Sequence, residues 1–363
     1  MSTHDFLKPR LTVDLTALAG NYRIIRALGG AEVAGVVKAD GYGLGAGPVA
    51  AALAGEGCTQ FFVATPDEGA ALRAELPDAQ IAIMGGLYQG AEEFYLANHL
   101  IPVINGPDEL TRWRTFSQNE SFALPCWLHV DTGMNRLGFG AADWAALSAE
   151  PDQILPLHLI GVMSHFACSD EKDHAMNAAQ AAAFAKAAQA FPDAQKSLCN
   201  SSGCFRDTAW HHDLLRPGYA LYGGNPTPEA ANPMKRVVTL EVPVLQTHRV
   251  AKGQTVGYSA THSFTQDSET ATIALGYADG FLRSGSSRAQ VYYKGQACPV
   301  LGRVSMDLVT IGTGHLTDKP AIGGMIEILG PHQGIDRLAA AMGTIGYEIL
   351  TALGSRYQRD YIA

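Results

Sequence analysis

The chain has 363 residues, too many for one ordinary core and enough for a barrel plus a second domain. With 47% apolar and 17% charged residues it reads as a globular protein, which excludes disorder and fibres. A formal net charge of −9 argues against a nucleic-acid partner, because phosphate binding calls for clustered Lys and Arg.

Taken in chain order, the first ten residues carry no apolar signal core. A helix is expected over 15–28. Apolar runs then follow at 31–39, 61–64, 81–84, 101–104, 126–131, 159–166, 197–201 and 214–222. Several are rich in Val and Ile and read as parallel strands buried on both faces. Helical stretches separate them. One starts at Gly47-Pro48. Another starts at Thr65-Pro66-Asp67-Glu68, with Thr at the N-cap, Pro in the first turn and acids at the positive helix end. A long Ala-rich helix is expected over 173–191, ahead of Pro192. Eight strands, each trailed by helix or turn signals, predict an N-terminal (β/α)8 TIM-type barrel over 11–233. From about Met234 the pattern changes. Runs at 237–249, 270–275, 289–293, 298–311 and 325–329 are β-like, and a short helix is expected over 335–342. The reading is a mainly β C-terminal domain over 234–363, with residues 1–10 packed on it.

Cys58, Cys126, Cys168, Cys199, Cys204 and Cys298 form no C-x-x-C pair, so buried reduced thiols are expected rather than disulfides or a metal site. No run of about eighteen apolar residues is available to span a membrane. A cytoplasmic protein with no membrane partner is the expectation.

Polar residues fall where a barrel keeps its active site, at the carboxyl ends of the strands. Lys38 ends the first strand, in Val36-Val37-Lys38-Ala39-Asp40-Gly41-Tyr42-Gly43. A lysine closing an apolar strand is costly to bury without a task, and one with a depressed pKa suits a Schiff base. Arg136 follows the fifth strand, His165 closes the sixth, Ser201 the seventh, and Arg216 lies in the eighth. Ser201, Gly218 and nearby backbone N–H groups can form a phosphate cradle. An amine for an aldehyde beside a phosphate seat points to pyridoxal 5'-phosphate. No phosphate-loop, dinucleotide or zinc-protease motif competes.

These residues resemble those of the alanine racemases along nearly the whole chain. The resemblance rests on Asp131-Thr-Gly-Met-Asn-Arg-Leu-Gly138, Ser164-His-Phe-Ala167, Asn200-Ser201, Arg216-Pro-Gly218, Val256-Gly-Tyr258, Gly276-Tyr-Ala-Asp-Gly280, Gly302-Arg-Val-Ser-Met-Asp307 and Gly346-Tyr-Glu-Ile-Leu350, together with the Lys38 segment. It implies an isomerase that interconverts L- and D-alanine through two bases. Lys38, which also holds the cofactor, would be one, and Tyr258 of the partner subunit in a homodimer the other. Arg216 would face the pyridine nitrogen and Arg136 the phenolic oxygen. Tyr42, Ser201, Gly218, Tyr219 and Tyr347 would hold the phosphate, and His165 would bond toward Tyr258 and Arg216. The Met306 N–H and Arg136 would meet the substrate, Asp307 would support the Tyr258 region, and Tyr277, Arg283 and Arg303 would line the entrance. D-alanine supply for peptidoglycan precursors, or D-alanine catabolism, is the implied role. One departure stands out: many relatives carry a carbamylated lysine where this chain has His129, so either an anion or His129 itself is left to hold Arg136. Two other readings stay open: a racemase of broader range (serine or larger amino acids), and a fold-type III amino-acid decarboxylase, although a carboxylate would then be expected in place of Arg216.

Overall fold

In the computed structural model, which describes residues 7–363, the chain divides into two compact units. One contains 18–221 and 225–234; the other contains the described residues up to Ala17 with 222–224 and 235–363.

The first unit is a closed parallel barrel. Its first strand is a broken one, Glu32–Val33 and Gly35–Val36, and Gln60–Val63, Gln80–Ile83, Leu100–Ile104, Pro125–His129, His158–Met163 and Gln195–Ser197 follow in spatial as well as chain order. Leu214–Leu215 closes the ring. It pairs in parallel with Glu32–Val33, and the Arg216 N–H donates to the Cys199 carbonyl at 3.0 Å. Burial is near-complete in the central strands, as the Val/Ile/Phe runs require when helices cover one face and packed side chains fill the other. Gly161 shows how tight the filling is: a Cβ there would lie 2.2 Å from the Trp127 ring, whose indole packs edge-on against Phe62. Helix Pro66–Glu75 begins as its sequence predicts. Thr65 Oγ1 accepts from the Glu68 N–H, the Glu68 carboxylate accepts from the Thr65 N–H, and Pro66 occupies the first turn.

Several predicted strands end early, and each stop has a local cause. The run predicted over 159–166 stops at Met163, because Gln180 takes over the next backbone groups: its Nε2 donates to the His165 carbonyl and its Oε1 accepts from the Ala167 N–H. The run predicted over 214–222 stops at Leu215. Pro217 has no N–H to continue a ladder, and the chain turns with the Leu221 N–H on the Gly218 carbonyl. The predicted 197–201 run is strand only to Ser197, because Asn200 bonds forward to Gly203 and Cys204 and starts a turn. The Ala-rich helix is shorter than expected, Ala175–Ala187, with His174 as its N-cap and a 3-10 turn before Pro192.

The second unit is built on an eight-stranded sheet. Its spine, Val238–Val250, is bulged near Leu240 and again between Val244 and Gln246. The segment beside Pro243 pairs with Met325–Leu329, and the far half with Ser268–Ile273, which in turn pairs with Val309–Gly312. The run predicted over 298–311 is two strands, Gln296–Pro299 and Val309–Gly312. Gly302 (φ 72°) and the Ser305 hydroxyl, bonded to both backbone groups of Leu308, turn the chain between them. Arg10–Asp14 adds to this sheet antiparallel to the spine, and Gln358–Ile362 pairs with it in parallel. The expectation that residues 1–10 pack on the β domain concerns residues 1–6 as well, which lie outside the described residues. Helix Ile335–Met342 stands as predicted and ends in left-handed Gly343. All six cysteines are free thiols, and among the described residues no helix is long and apolar enough to cross a membrane.

Candidate active site

Parallel barrel strands put all their carboxyl ends on one rim. Lys38, Arg136, His165, Ser201 and Arg216 each follow a barrel strand and therefore share that rim. Lys38 leaves its strand at the start of an unusual turn. Ala39, Asp40, Gly41 and Tyr42 all hold left-handed backbone angles, with φ between 52° and 61°. For residues other than glycine this conformation costs about 1–2 kcal/mol each. The turn is closed by Gly41 N–H to Val37 carbonyl (2.9 Å) and Gly43 N–H to Ala39 carbonyl (2.8 Å). Burial, and then the positive charge of Arg136, push the Lys38 pKa below its ordinary value; the Glu68 carboxylate opposes them. The amine is thereby more available as a base or nucleophile than a surface lysine.

Tyr42 is carried by the same turn to the next feature. A Cβ on Gly218 would sit 2.2 Å from the Tyr42 hydroxyl, so glycine alone allows that approach. Ser201 Oγ accepts from the Gly218 and Ala220 N–H groups at 3.0 and 3.1 Å. Hydroxyls and backbone N–H groups thus converge around Tyr42, Ser201, Gly218 and the buried Tyr219, the donor set of an anion seat.

Arg216 is only 3% exposed. Its guanidinium donates to Ser197 Oγ and to the Ser164 carbonyl, with no carboxylate partner among the described residues. Burial pushes its pKa down to about 10, so it remains charged at neutral pH. This fixed charge adds to burial at the nearby imidazoles. His165 is held well below the ordinary histidine range by burial, then by Arg216, Arg136 and Lys38. His129 is pushed down to about 4 by burial and Arg216. Asn105 Nδ2 donates to the Val103 carbonyl, so its Oδ1 faces His129 Nδ1 at 2.9 Å and accepts the ring proton. The Nε2 of His129 is then an acceptor. Arg136, on the exposed loop that follows, has no hydrogen-bond or ion-pair partner among the described residues.

A neutral, half-buried histidine makes stability depend on pH. The unfolded chain protonates near 6.5 and the folded His129 only near 4, so stability is full above about 6.5 and falls as pH drops through that window. At about 1.4 kcal/mol per pH unit the His129 share is up to roughly 3 kcal/mol. We expect urea midpoints to fall between pH 7 and pH 4.5, and to fall less in His129→Asn; an equal fall in both would remove His129 from this account.

The remaining predicted residues lie in the second unit. Tyr258 follows left-handed Gly257 and is 71% exposed; the adjoining Ser259 hydroxyl accepts from Arg303 Nη1 at 2.8 Å. The Tyr277 N–H donates to the Ser305 carbonyl and the Ala278 N–H to the Met306 carbonyl, stapling the 276–279 turn to the 305–307 loop. Gly276 is obligatory there, since a Cβ would lie 2.1 Å from the Met306 carbonyl oxygen. Arg283 opens a short turn whose carbonyl accepts from the Ser286 hydroxyl, and that hydroxyl accepts from the Val304 N–H. Tyr347 stands in the first turn of helix Gly346–Thr351.

Sequence reasoning missed four positions that organise these groups. Asp279 is buried, with Oδ2 accepting from the Gly276 N–H at 2.9 Å. Arg356 bridges Asp279 Oδ1 (2.6 Å) and Asp307 Oδ1 (2.7 Å), which raises its pKa. Asn105 orients His129. Glu68 was read only as an acid near a helix start, and its place in a capping box was the signal available.

The chain matches two family models, "Alanine racemase, N-terminal domain" over residues 13–226 and "Alanine racemase, C-terminal domain" over 237–361. It is 49% identical to an alanine racemase of Acidiphilium cryptum over 97% of this chain and 98% of that one. It is 46% identical to a catabolic alanine racemase of Mesorhizobium japonicum over 97% and 93%. Among solved structures, an alanine racemase from Bartonella henselae with covalently bound pyridoxal phosphate superposes with a TM-score of 0.95 at 37% identity, covering 98% of this chain and 99% of that one. Both halves of the sequence, and the barrel that carries Lys38, therefore place this chain in the alanine racemase family.

Proposed function

We propose that the protein racemises alanine with pyridoxal 5'-phosphate, using Lys38 and the Tyr258 of a partner subunit as opposed bases in a homodimer. The observation that carries the reading is the half-buried Lys38, its pKa lowered, on the same barrel rim as the Tyr42–Ser201–Gly218 seat. The residues fit the cofactor: an amine for its aldehyde, hydroxyl and N–H donors for its phosphate, and a buried guanidinium for its ring. When bound, pyridoxal phosphate supplies a conjugated ring that accepts the electron pair released when an amino acid loses its Cα proton.

Ser201, Gly218, Tyr219, Tyr42 and Tyr347 hold the phosphate. Arg216 would donate an N–H to the ring nitrogen and keep its own proton, so that nitrogen would gain a hydrogen bond without full charge. Arg136 would serve the phenolic oxygen and the substrate. His165, neutral, relays hydrogen bonds without competing for the proton. The Met306 N–H meets the substrate carboxylate, and the 276–279 turn fixes that peptide. Asp307 supports the Tyr258 region, and Tyr277, Arg283 and Arg303 bound the entrance. Lys38 takes or returns the Cα proton on one face and Tyr258 on the other.

The direct test is D-alanine formation from L-alanine by the purified protein supplied with cofactor, beside L-serine and L-lysine. Alanine is expected to turn over fastest; no inversion of any of the three would overturn the reading, and comparable rates for serine would favour a broader racemase. A second expectation concerns the seat. Gly218→Ala would displace Tyr42 and weaken cofactor binding at least about tenfold, roughly 1.4 kcal/mol. Fluorescence titration of cofactor-free protein reads this; unchanged affinity would remove Gly218 and Tyr42 from the seat.

A further inference from the structure

The strained turn after Lys38 needs something to hold it, and its own hydrogen bonds begin one residue too late. They use the N–H groups of Gly41, Gly43, Leu44 and Gly45, while the Ala39 N–H, the first beyond the lysine, goes to a side chain. That N–H donates to Glu68 Oε1 at 2.7 Å. The other carboxylate oxygen accepts from the Ala64 N–H at 2.7 Å and the Thr65 N–H at 3.3 Å, at the end of the neighbouring strand and the start of helix Pro66–Glu75. One carboxylate therefore ties the lysine turn to a capped helix and its strand, through charge-assisted bonds that are stronger than neutral ones. Within the turn Asp40 does similar work further on, its Oδ1 accepting from the Ala46 N–H.

We infer that Glu68 is a positioning residue for Lys38: it clamps the left-handed turn that aims the lysine and places a negative charge within reach of the amine. This rests on the reading of Lys38 given above. The charged groups facing that amine are Glu68 and Arg136, with neutral His165 also in its field. Arg136 disfavours the ammonium and Glu68 favours it. Loss of the carboxylate should therefore lower the Lys38 pKa further, while freeing the turn.

The test uses two readouts on the full-length, cofactor-free chain, neither of which needs racemase activity. Amide hydrogen exchange resolved to Ala39 reads the clamp. The pH dependence of Lys38 acetylation by a neutral reagent, read by peptide mass mapping, reads the charge. In Glu68→Gln we expect Ala39 exchange to quicken at least tenfold and the acetylation midpoint to move to lower pH, with Glu68→Asp restoring the midpoint toward wild type. Thr65→Ala is the control: it weakens the same helix cap without touching the Glu68–Ala39 bond and should leave both readouts unchanged. If Ala39 exchange or the acetylation midpoint in Glu68→Gln matches wild type, or if Thr65→Ala shifts them equally, Glu68 is only a helix cap and the inference fails. Failure of the racemase reading would show separately, as no inversion of alanine by wild type.

Discussion

Lys38→Ala is expected to abolish racemisation, with kcat/KM falling by more than about 10⁴-fold. Two losses combine in that one substitution. The amine that would hold the cofactor is removed, and so is one of two proton-transfer groups, whose contribution alone is typically about 10²–10⁴-fold. No nearby side chain can stand in. Arg216 stays protonated, and His165 is held in a neutral form by burial and by the arginine charges, on another strand end. The fold should survive, because the turn at 39–42 is closed by backbone bonds and by Glu68 rather than by the lysine amine. Borohydride reduction of the loaded wild-type protein followed by peptide mapping should find the label on Lys38, and the variant should show none there. A label on another lysine would move the active site elsewhere.

Tyr258→Phe should lose nearly as much activity, but with an asymmetry that no structural defect would produce. Removing the hydroxyl takes away the base for one face only. Hydrogen exchange at Cα in heavy water should then fall by about 10²-fold or more from one enantiomer of alanine and far less from the other. Equal slowing from both would contradict the assignment of two bases. The same variant tests the dimer. Tyr258 is 71% exposed, on a turn pinned by Arg303 through Ser259. If it serves the partner's lysine, refolding Lys38→Ala together with Tyr258→Phe yields hybrids in which one site has both native residues and the other has neither. Random pairing into two-fold dimers should recover about a quarter of wild-type activity. No recovery would put Tyr258 and Lys38 of the same chain in one site.

Much of this architecture was legible in the chain itself. Most barrel strands were visible as apolar runs, although Gln195–Ser197 is polar and meets its predicted run only at Ser197; the helix at 66 was visible because Thr precedes Pro and two acids, the residues of a helix start. The rim residues followed from one rule, that parallel strands deliver their carboxyl ends to one side; Lys38, His165, Ser201 and Arg216 lie close beyond a strand end, and Arg136 on the loop that follows one. These are local patterns, set by side-chain periodicity and backbone propensity within a few residues. Strand ends were less legible: Gln180 reaching back to residues 165 and 167 stops a run whose composition alone would let it continue.

What only the tertiary structure decided is of another kind. The edge pairing of Arg10–Asp14 with Gln358–Ile362 joins two polar strands from opposite ends of the chain, neither with an apolar run to announce it. Arg356 meets Asp279 and Asp307, and Glu68 meets Ala39, across intervals that no periodicity spans. A charged side chain finds its partner only after the core has closed and fixed the distance between surfaces. Until then Arg356 is indistinguishable from the many solvated charges that do no such work.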